Sequence, residues 1–190
     1  MPNLYIIAGC NGAGKTTASY TVLPEMLDCQ EYINADEIAK GLSPFNPDKA
    51  AIEAGRIMLG RIQHFITNQI DFSFETTLAT RSYTNVIKRA KQLDYEITML
   101  YFWLDSVELA KERVLTRVHE GGHNIPEEII TRRYYSGLKN LFDLYIPICD
   151  FWMIFNNSNP TMELIAEGNL NINLKIENYR IFETLKKLSK

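Results

Sequence analysis

Short apolar runs alternate with amphipathic segments along most of the chain. The runs predict strands at about 4–8, 31–34, 71–75, 96–104 and 150–156. The clearest helix between them begins at Pro47, a residue favoured in the first helical turn. Its apolar stripe repeats every three or four residues, at Ala51, Ala54, Met58, Ile62 and Phe65. This order of elements is typical of an α/β protein with a parallel sheet and helices on both faces.

The pattern changes after Pro160. Two short apolar runs around Gly168 and Asn169 predict a strand pair, and a final helix is predicted near 177–188. Because no linker or repeat interrupts the chain, we expect its 190 residues to form a single domain, with the strand pair and last helix at about 161–190.

Composition narrows the possible partners and location. The formal net charge is −3, so no basic excess predicts binding to nucleic acid. No apolar stretch approaches 18 residues, and no basic region precedes the first apolar run, so we expect neither membrane insertion nor export but a cytoplasmic protein. The cysteines at 10, 29 and 149 lack the spacing of a zinc site or a disulfide framework.

The segment GCNGAGKT, residues 9–16, follows the first predicted strand and matches the phosphate-loop pattern GxxxxGK[ST]. Glycines there let successive backbone N–H groups surround an anion at the start of a helix. Lys15 is expected to reach the outer phosphates of ATP, and the Thr16 hydroxyl to hold Mg²⁺. The predicted nucleotide contacts of the loop are Gly9, Asn11, Gly12, Ala13, Gly14, Lys15, Thr16 and Thr17.

Other motifs separate the classes of phosphate-loop protein. The signatures DxxG, NKxD and LSGGQ of GTPases and transporter ATPases are missing from the sequence. The run YFWLD ends at Asp105, which suits either a magnesium-binding strand or, with Glu108, a helix capping box, and we favour the capping box. A small-molecule kinase instead needs a carboxylate near an acceptor hydroxyl and cations over the transferred phosphoryl group.

Asp36 is the first candidate for that carboxylate. It follows the second predicted strand in YINADEIAKGL, at the edge where parallel sheets bind ligands. There it could accept the acceptor proton and help to hold Mg²⁺ through water. The alternative is that Asp36 caps the following helix.

Two further groups are candidates for acceptor binding. Glu75, Thr76 and Thr77 end the third strand, where a carboxylate and hydroxyls suit a hydroxyl-rich substrate, although the threonines could simply end the strand. Glu53 and Arg56 lie three apart on the long helix and off its apolar stripe, so they either line the same cleft or form a solvated ion pair.

Arginines cluster in a predicted helical lid at about 113–137. Two helices flank a Gly121–Gly122 break, with Arg113 and Arg117 before it and Arg132 and Arg133 after it. Such a lid can bring arginines over a triphosphate. A charged run of this kind is also compatible with a solvated face, because nearby glutamates balance it. We interpret His123 as a turn or hinge residue.

Six segments together resemble the compact bacterial zeta toxin-like phosphate-loop kinases. They are GCNGAGKTT, INADEIAKGL, FSFETTL, LYFWLDSVELAKERVLTRV, EGGHNIPEEIITRRY and FNNS, within about 4–158. The resemblance implies a nucleoside-monophosphate-kinase-like core with strand order 2-3-1-4-5. It also implies ATP-dependent phosphorylation of a hydroxyl, which in zeta toxins is the 3′-hydroxyl of UDP-N-acetylglucosamine.

By the same resemblance, Asp36 corresponds to the base, and Glu75 and Thr77 to an E-x-T acceptor motif. The two phosphate-facing arginines fall among Arg117, Arg132 and Arg133, and the pair that we predict is Arg117 and Arg132. The remaining predicted nucleotide contacts are Arg113, Asn157 and Ser158. Two alternatives stay open: a gluconate- or nucleoside-type kinase, and a nucleotide-dependent interaction module covered by a small antitoxin.

Overall fold

A seven-stranded sheet forms the centre of the computed structural model, which describes residues 1–122, 124–170 and 174–190. The strands are β1 (Asn3–Gly9), β2 (Tyr32–Ile33), β3 (Phe72–Thr76), β4 (Glu96–Trp103), β5 (Phe151–Asn156), β6 (Glu163–Asn169) and β7 (Leu174–Ile176). Their spatial order is β2-β3-β1-β4-β5-β6-β7. The first five strands are parallel, and β6 and β7 continue the sheet in antiparallel pairing. The predicted order 2-3-1-4-5 is therefore confirmed.

Helices follow the first four strands and complete the α/β architecture. They are α1 (Lys15–Met26), α2 (Ala35–Leu42), α3 (Pro47–Asn68), α4 (Tyr83–Lys91), α5 (Val107–His119), α6 (Glu127–Asn140) and α7 (Tyr179–Leu188). A π-helical turn (Leu141–Tyr145) and a 3-10 turn (Ile146–Ile148) lead from α6 towards β5. None of the helices described has the length and hydrophobicity needed to span a bilayer.

The core lies along the central strands, because parallel strands covered on both faces must be apolar throughout. Leu4 and Ile6 of β1 and Ile97 and Met99 of β4 are fully buried. On α3, four of the five predicted stripe positions are buried, but Ala51 is exposed and its neighbour Ala50 is buried instead. The first turn of α3 is thus rotated relative to the predicted stripe.

The strand pair after Pro160 exists, but its turn is not at Gly168 and Asn169. Both residues are the last of β6, and Gly168 pairs with Leu174 of β7. The reason for glycine is a close approach to the next strand, since a Cβ atom at Gly168 would lie 2.6 Å from Cζ2 of Trp152. A glycine in a strand interior often marks such an approach rather than a turn.

Candidate active site

The phosphate loop joins β1 to α1 at the carboxyl edge of the sheet. Its three glycines all have positive φ angles, between 78° and 143°, a conformation that other residues rarely adopt. Asn157, just after β5, supports the loop by donating a hydrogen bond from Nδ2 to the Ala13 carbonyl at 2.8 Å. This bond fixes the loop just before α1, where the sequence pattern predicts an anion-binding site.

Lys15 is buried at the base of this loop, with 5% of its surface exposed. Its Nζ atom donates to the Cys10 carbonyl at 2.9 Å and lies 3.4 Å from Glu75 Oε1. A buried ammonium group needs such partners, because an unpaired charge there would carry a large desolvation cost. The Lys15 side chain is therefore fixed between the Cys10 carbonyl and Glu75 at the base of the loop.

Glu75 is the hub of the polar cluster beside the loop. Its Oε2 atom accepts hydrogen bonds from Thr16 Oγ1 at 2.8 Å, Tyr32 OH at 2.5 Å and Asn34 Nδ2 at 3.0 Å. Burial, followed by the Glu75 charge, raises the pKa of Tyr32, so this hydroxyl stays a proton donor. The carboxylate that contacts the loop threonine thus comes from β3.

Asp105, the alternative carboxylate, is exposed beyond β4. Its amide donates to Ser158 Oγ at 2.9 Å. The predicted capping box is also displaced by one residue, because Ser106 has the extended backbone of an N-cap and its hydroxyl accepts from the Leu109 amide at 3.2 Å. Asp105 is therefore not the N-cap.

Asp36 is free of the capping role that it could have taken. Asn34 caps α2 instead, with Oδ1 accepting from the amides of Asp36 at 2.8 Å and Glu37 at 3.4 Å. The Asp36 carboxyl is exposed in the first turn of α2 and lines a cavity of about 180 Å³ at the end of the sheet. That placement leaves it available to a ligand.

The same cavity brings together residues from five separate parts of the chain. Its lining includes Asn11, Lys15, Asn34, Asp36, Met58, Glu75, Thr77 and Arg133. Arg133 Nη1 donates to Asn11 Oδ1 at 3.2 Å, which ties α6 to the phosphate loop. Burial lowers the pKa of the Arg133 guanidinium, and the nearby Asp36 charge opposes that shift. One cavity therefore contains the lysine of the phosphate-loop motif, a carboxylate, a hydroxyl and an arginine.

The arginines of the predicted lid have separate positions. Arg132, half of the predicted pair, is exposed beside the cavity-lining Arg133. Arg117 is half-buried on α5, near the Gly122 backbone, whose amide donates to the Arg117 carbonyl at 2.8 Å. Arg113 donates to the carbonyls of Asn157 and Ser158, at 2.8 and 2.9 Å, and so holds the loop that supports Ala13.

Other predicted residues lie outside the cavity or outside the described part. Glu53 and Arg56 are exposed on α3, and they line neither this cavity nor its neighbour. Thr17 is exposed on α1. Thr76, by contrast, lines the cavity, although it is buried and its hydroxyl accepts from the Leu78 amide at 3.1 Å. His123 lies outside the residues that the structure describes.

The second half of α6 and the π-helical turn after it contact the segment that follows β3. Gly137 packs so closely that a Cβ atom there would lie 2.3 Å from the Thr77 carbonyl oxygen. The buried Asn140 donates from Nδ2 to the Leu78 carbonyl at 2.7 Å, where Leu78 has a φ of 56°. Tyr145 OH donates to the Thr80 carbonyl at 2.6 Å. These contacts hold Thr77 and Thr80 at the cavity wall.

Sequence reasoning missed Tyr32 and Asn34 as members of the site. Asn34 was identifiable as an N-cap, because asparagine before an acidic first helical turn is a standard helix start. Tyr32 offered no such signal, since its contact with Glu75 depends on the pairing of β2 with β3. No group of three or more metal-binding histidines, cysteines or carboxylates occurs among the described residues.

Comparison with known proteins gives the family. The model of the zeta toxin family matches residues 1–159. The chain belongs to the zeta toxin family. A protein of Haemophilus influenzae strain Rd is 35% identical to it over 126 residues, which make up 66% of this chain and 88% of that protein.

Solved structures share the fold of this zeta toxin family member at low sequence identity. A chain of the AvrRxo1-ORF1:-ORF2 complex with ATP matches with a TM-score of 0.78 and 15% identity, over 100% of this chain and 65% of that one. A chain of the PezAT toxin-antitoxin system of Streptococcus pneumoniae matches with a TM-score of 0.69 and 14% identity, over 99% and 86%. This chain thus spans less than two thirds of the AvrRxo1 chain. Family and fold together support an ATP-dependent kinase.

Proposed function

We propose that the protein transfers the γ-phosphoryl group of ATP, with Mg²⁺, to a hydroxyl of a sugar nucleotide such as UDP-N-acetylglucosamine. The observation that carries this proposal is the single cavity lined by Lys15, Asp36, Thr77 and Arg133. A phosphoryl-transfer site needs phosphate binding, a proton acceptor, acceptor contacts and a cation around one point. Nucleotide chemistry of this kind suits the cytoplasm, where ATP is available.

Each side chain has one task in this reaction. The loop amides and Lys15 hold the triphosphate, and Asp36 accepts the proton of the acceptor hydroxyl. The acceptor oxygen forms a bond to the γ-phosphorus as the bond to the β,γ-bridging oxygen breaks, and ADP leaves. Arg133 offsets the negative charge that spreads over the transferring group. Thr77 orients the acceptor.

Mg²⁺ fits this site through Thr16 and Glu75. Their side-chain oxygens are 2.8 Å apart, and hydroxyl and carboxylate oxygens are ligands that Mg²⁺ prefers. The sequence suggested Asp36 as the carboxylate partner of Thr16, whereas this contact favours Glu75 for that role. When bound, the ion would neutralise phosphate charge.

The test begins with purified protein, ATP, Mg²⁺ and a panel of UDP-N-acetylglucosamine, gluconate and nucleosides. Mass spectrometry should detect a UDP-N-acetylglucosamine product heavier by one phosphate. Asp36→Asn should lower transfer by about 100- to 10,000-fold, the usual contribution of a general base, while binding of a fluorescent ATP analogue persists. If only gluconate or a nucleoside were phosphorylated, the acceptor would belong to that class and not to the sugar nucleotides.

Glu37→Gln is the matched control for Asp36→Asn. It neutralises the next carboxylate on α2, which is exposed and paired only with the exposed Lys40 at 2.6 Å among the contacts described for it. Exposed pairs of this kind contribute little stability. Equal losses in the two variants, or undiminished transfer by Asp36→Asn, would contradict the role of Asp36.

A second candidate is a partner protein that controls this kinase. It is favoured by the similarity to a chain of the PezAT toxin-antitoxin system. If an antitoxin exists, purification from the source cells should yield a stoichiometric complex whose dissociation restores phosphoryl transfer. A protein that purifies alone and is fully active would argue against this control.

A further inference from the structure

The loop between α2 and α3 exposes an aromatic ring. Phe45 is 96% exposed, and it lies between Pro44 and Pro47, which restrict the backbone on both sides. Single exposed apolar residues are common on protein surfaces, so exposure alone assigns no role. The position of this ring relative to the active site is more informative.

Phe45 lines an open cavity of about 420 Å³ between its own loop and the lid turn. The other lining residues are Lys40, Pro44, Asn46, Pro47, Asp48, Gly121, Gly122 and Asn124. This volume lies in the range of about 300–1,000 Å³ that is usual for small-molecule pockets. The lining therefore combines an aromatic ring with Gly121, Gly122 and Asn124, from the segment between α5 and α6.

This cavity adjoins, through shared lining residues, the cavities that lead to the proposed site of phosphoryl transfer. It shares Pro47 and Asp48 with a second cavity, of about 180 Å³, that also contains Asp36 and Arg133. Asp36 and Arg133 in turn line the cavity of Lys15 and Glu75. The three cavities thus follow one another from Lys15, past Asp48, to Phe45.

We propose that Phe45 stacks on a planar ring in the distal part of the acceptor. This inference rests on the proposed kinase function and sharpens its substrate class, because it requires an extended, nucleotide-like acceptor rather than a compact polyol. Lys40 and Asp48 bring opposite charges to the cavity, so its net charge does not favour a charged ligand group. Stacking of Phe45 on a base is therefore the better basis for recognising the acceptor, and such stacking tolerates any base.

Kinetics of Phe45→Ala test this proposal with two acceptors, UDP-N-acetylglucosamine and free N-acetylglucosamine. The preference in kcat/KM for the nucleotide-linked sugar should fall about 10- to 100-fold, as expected for loss of one stacked base. Phe45→Trp should retain the preference. Ile52→Ala is the control, because Ile52 is 75% exposed on α3 and lines none of the three cavities. An unchanged preference in Phe45→Ala would overturn the proposal.

Fluorescence of Phe45→Trp gives a readout that does not depend on activity. Trp103 and Trp152 are 4% and 7% exposed, so the new surface indole should dominate changes caused by ligands. Saturable quenching by UMP, but not by ribose 5-phosphate, is expected with ATP already bound. Failure of every acceptor in the kinetic assay, with quenching intact, would reject the proposed reaction and keep the ring site. Absence of quenching would reject the ring site. This holds even if Phe45→Ala changes the kinetics, because that change could then come from the loss of a partner protein.

Discussion

The two halves of α6 differ in what they contact. In the first half, Glu127, Glu128 and Arg132 are exposed, and Arg133 reaches into the cavity. In the second half, Tyr134, Gly137, Leu138 and Asn140 are buried against the sheet and the segment after β3. An arginine on a helix anchored in this way is already beside the phosphate loop. The difference indicates preorganised charge at the site, which reduces the reorganisation needed at the moment of reaction.

The largest effect on activity is expected from Arg133, the residue of the first half of α6 that lines the cavity. Arg133→Ala should lower kcat about 1,000-fold, at the lower end of the range for arginines that neutralise a transferring phosphoryl group. Steady-state phosphorylation assays would measure it. Arg132→Ala, one position away and exposed, is the control and should lose less than about tenfold. The reverse ranking would restore the original choice of Arg132.

The anchor in the second half can be broken at Gly137. Gly137→Ala places a methyl group against the Thr77 carbonyl, a backbone atom that has no side-chain freedom to move aside. Overpacking of this kind should lower the free energy of unfolding by about 2 kcal/mol, as measured by urea denaturation. Gly60→Ala on α3 has open space around its Cβ position and should be stabilising by about 0.5–1 kcal/mol. Similar results for both variants would mean that α6 is not anchored there.

A smaller effect is expected from the hydrogen bond of Asn140. Asn140→Ala leaves the buried Leu78 carbonyl without this donor, which should cost about 1 kcal/mol or somewhat more. Urea denaturation measures the loss, and the KM for the acceptor should rise because Thr77 is displaced. Asn68→Ala removes a comparable 2.7 Å bond at an exposed helix end and should have less effect. Equal losses would argue against a special role for the anchor.

The smallest effect is expected when the cysteine thiols of the folded protein are treated with an alkylating reagent. Burial raises the pKa of Cys10 to about 11 and that of Cys149 to about 12, and burial also raises the pKa of Cys29. A raised thiol pKa favours the neutral form, so at pH 8 only about one Cys10 in a thousand is a thiolate. Iodoacetamide should leave the native protein unlabelled by mass spectrometry and modify all three cysteines after unfolding. Labelling of native Cys10 would show that the region around the phosphate loop opens.

The phosphate loop and the parallel sheet were predictable because their signals are local, whereas the strand order came from the family resemblance. Glycine spacing after an apolar run specifies the loop, and alternating strands and helices favour a parallel sheet. The choice between Arg132 and Arg133 was not predictable, since adjacent helical residues differ by about 100° in direction. The packing of Gly137 and Asn140 sets that direction, and it involves a segment about 60 residues away in the sequence.

The Glu75 cluster is a second case in which contacts between distant parts of the chain could not be predicted from the sequence. Its members come from β2, the N-cap of α2, β3 and the phosphate-loop motif, and the pairing of β2 with β3 brings Tyr32 to the carboxylate. The motif around Glu75 predicted substrate contact, but no local pattern indicated its bonds to Thr16 and Asn34. Side-chain clusters that depend on strand register are set by tertiary pairing rather than by spacing within one motif.

The two strands after the family-matched region bear on solubility. The match to the zeta toxin family ends at residue 159. After it, β6 pairs with the free edge of β5 in antiparallel orientation. Without that cover, β5 would present unpaired N–H and C=O groups that recruit strands from other molecules. In the part of the chain that the structure describes, the outer strands of the sheet are short, with two residues in β2 and three in β7, and Lys175 places a charge on β7. A chain cut after residue 159 is therefore expected to self-associate through its sheet even if its catalytic groups remain in place.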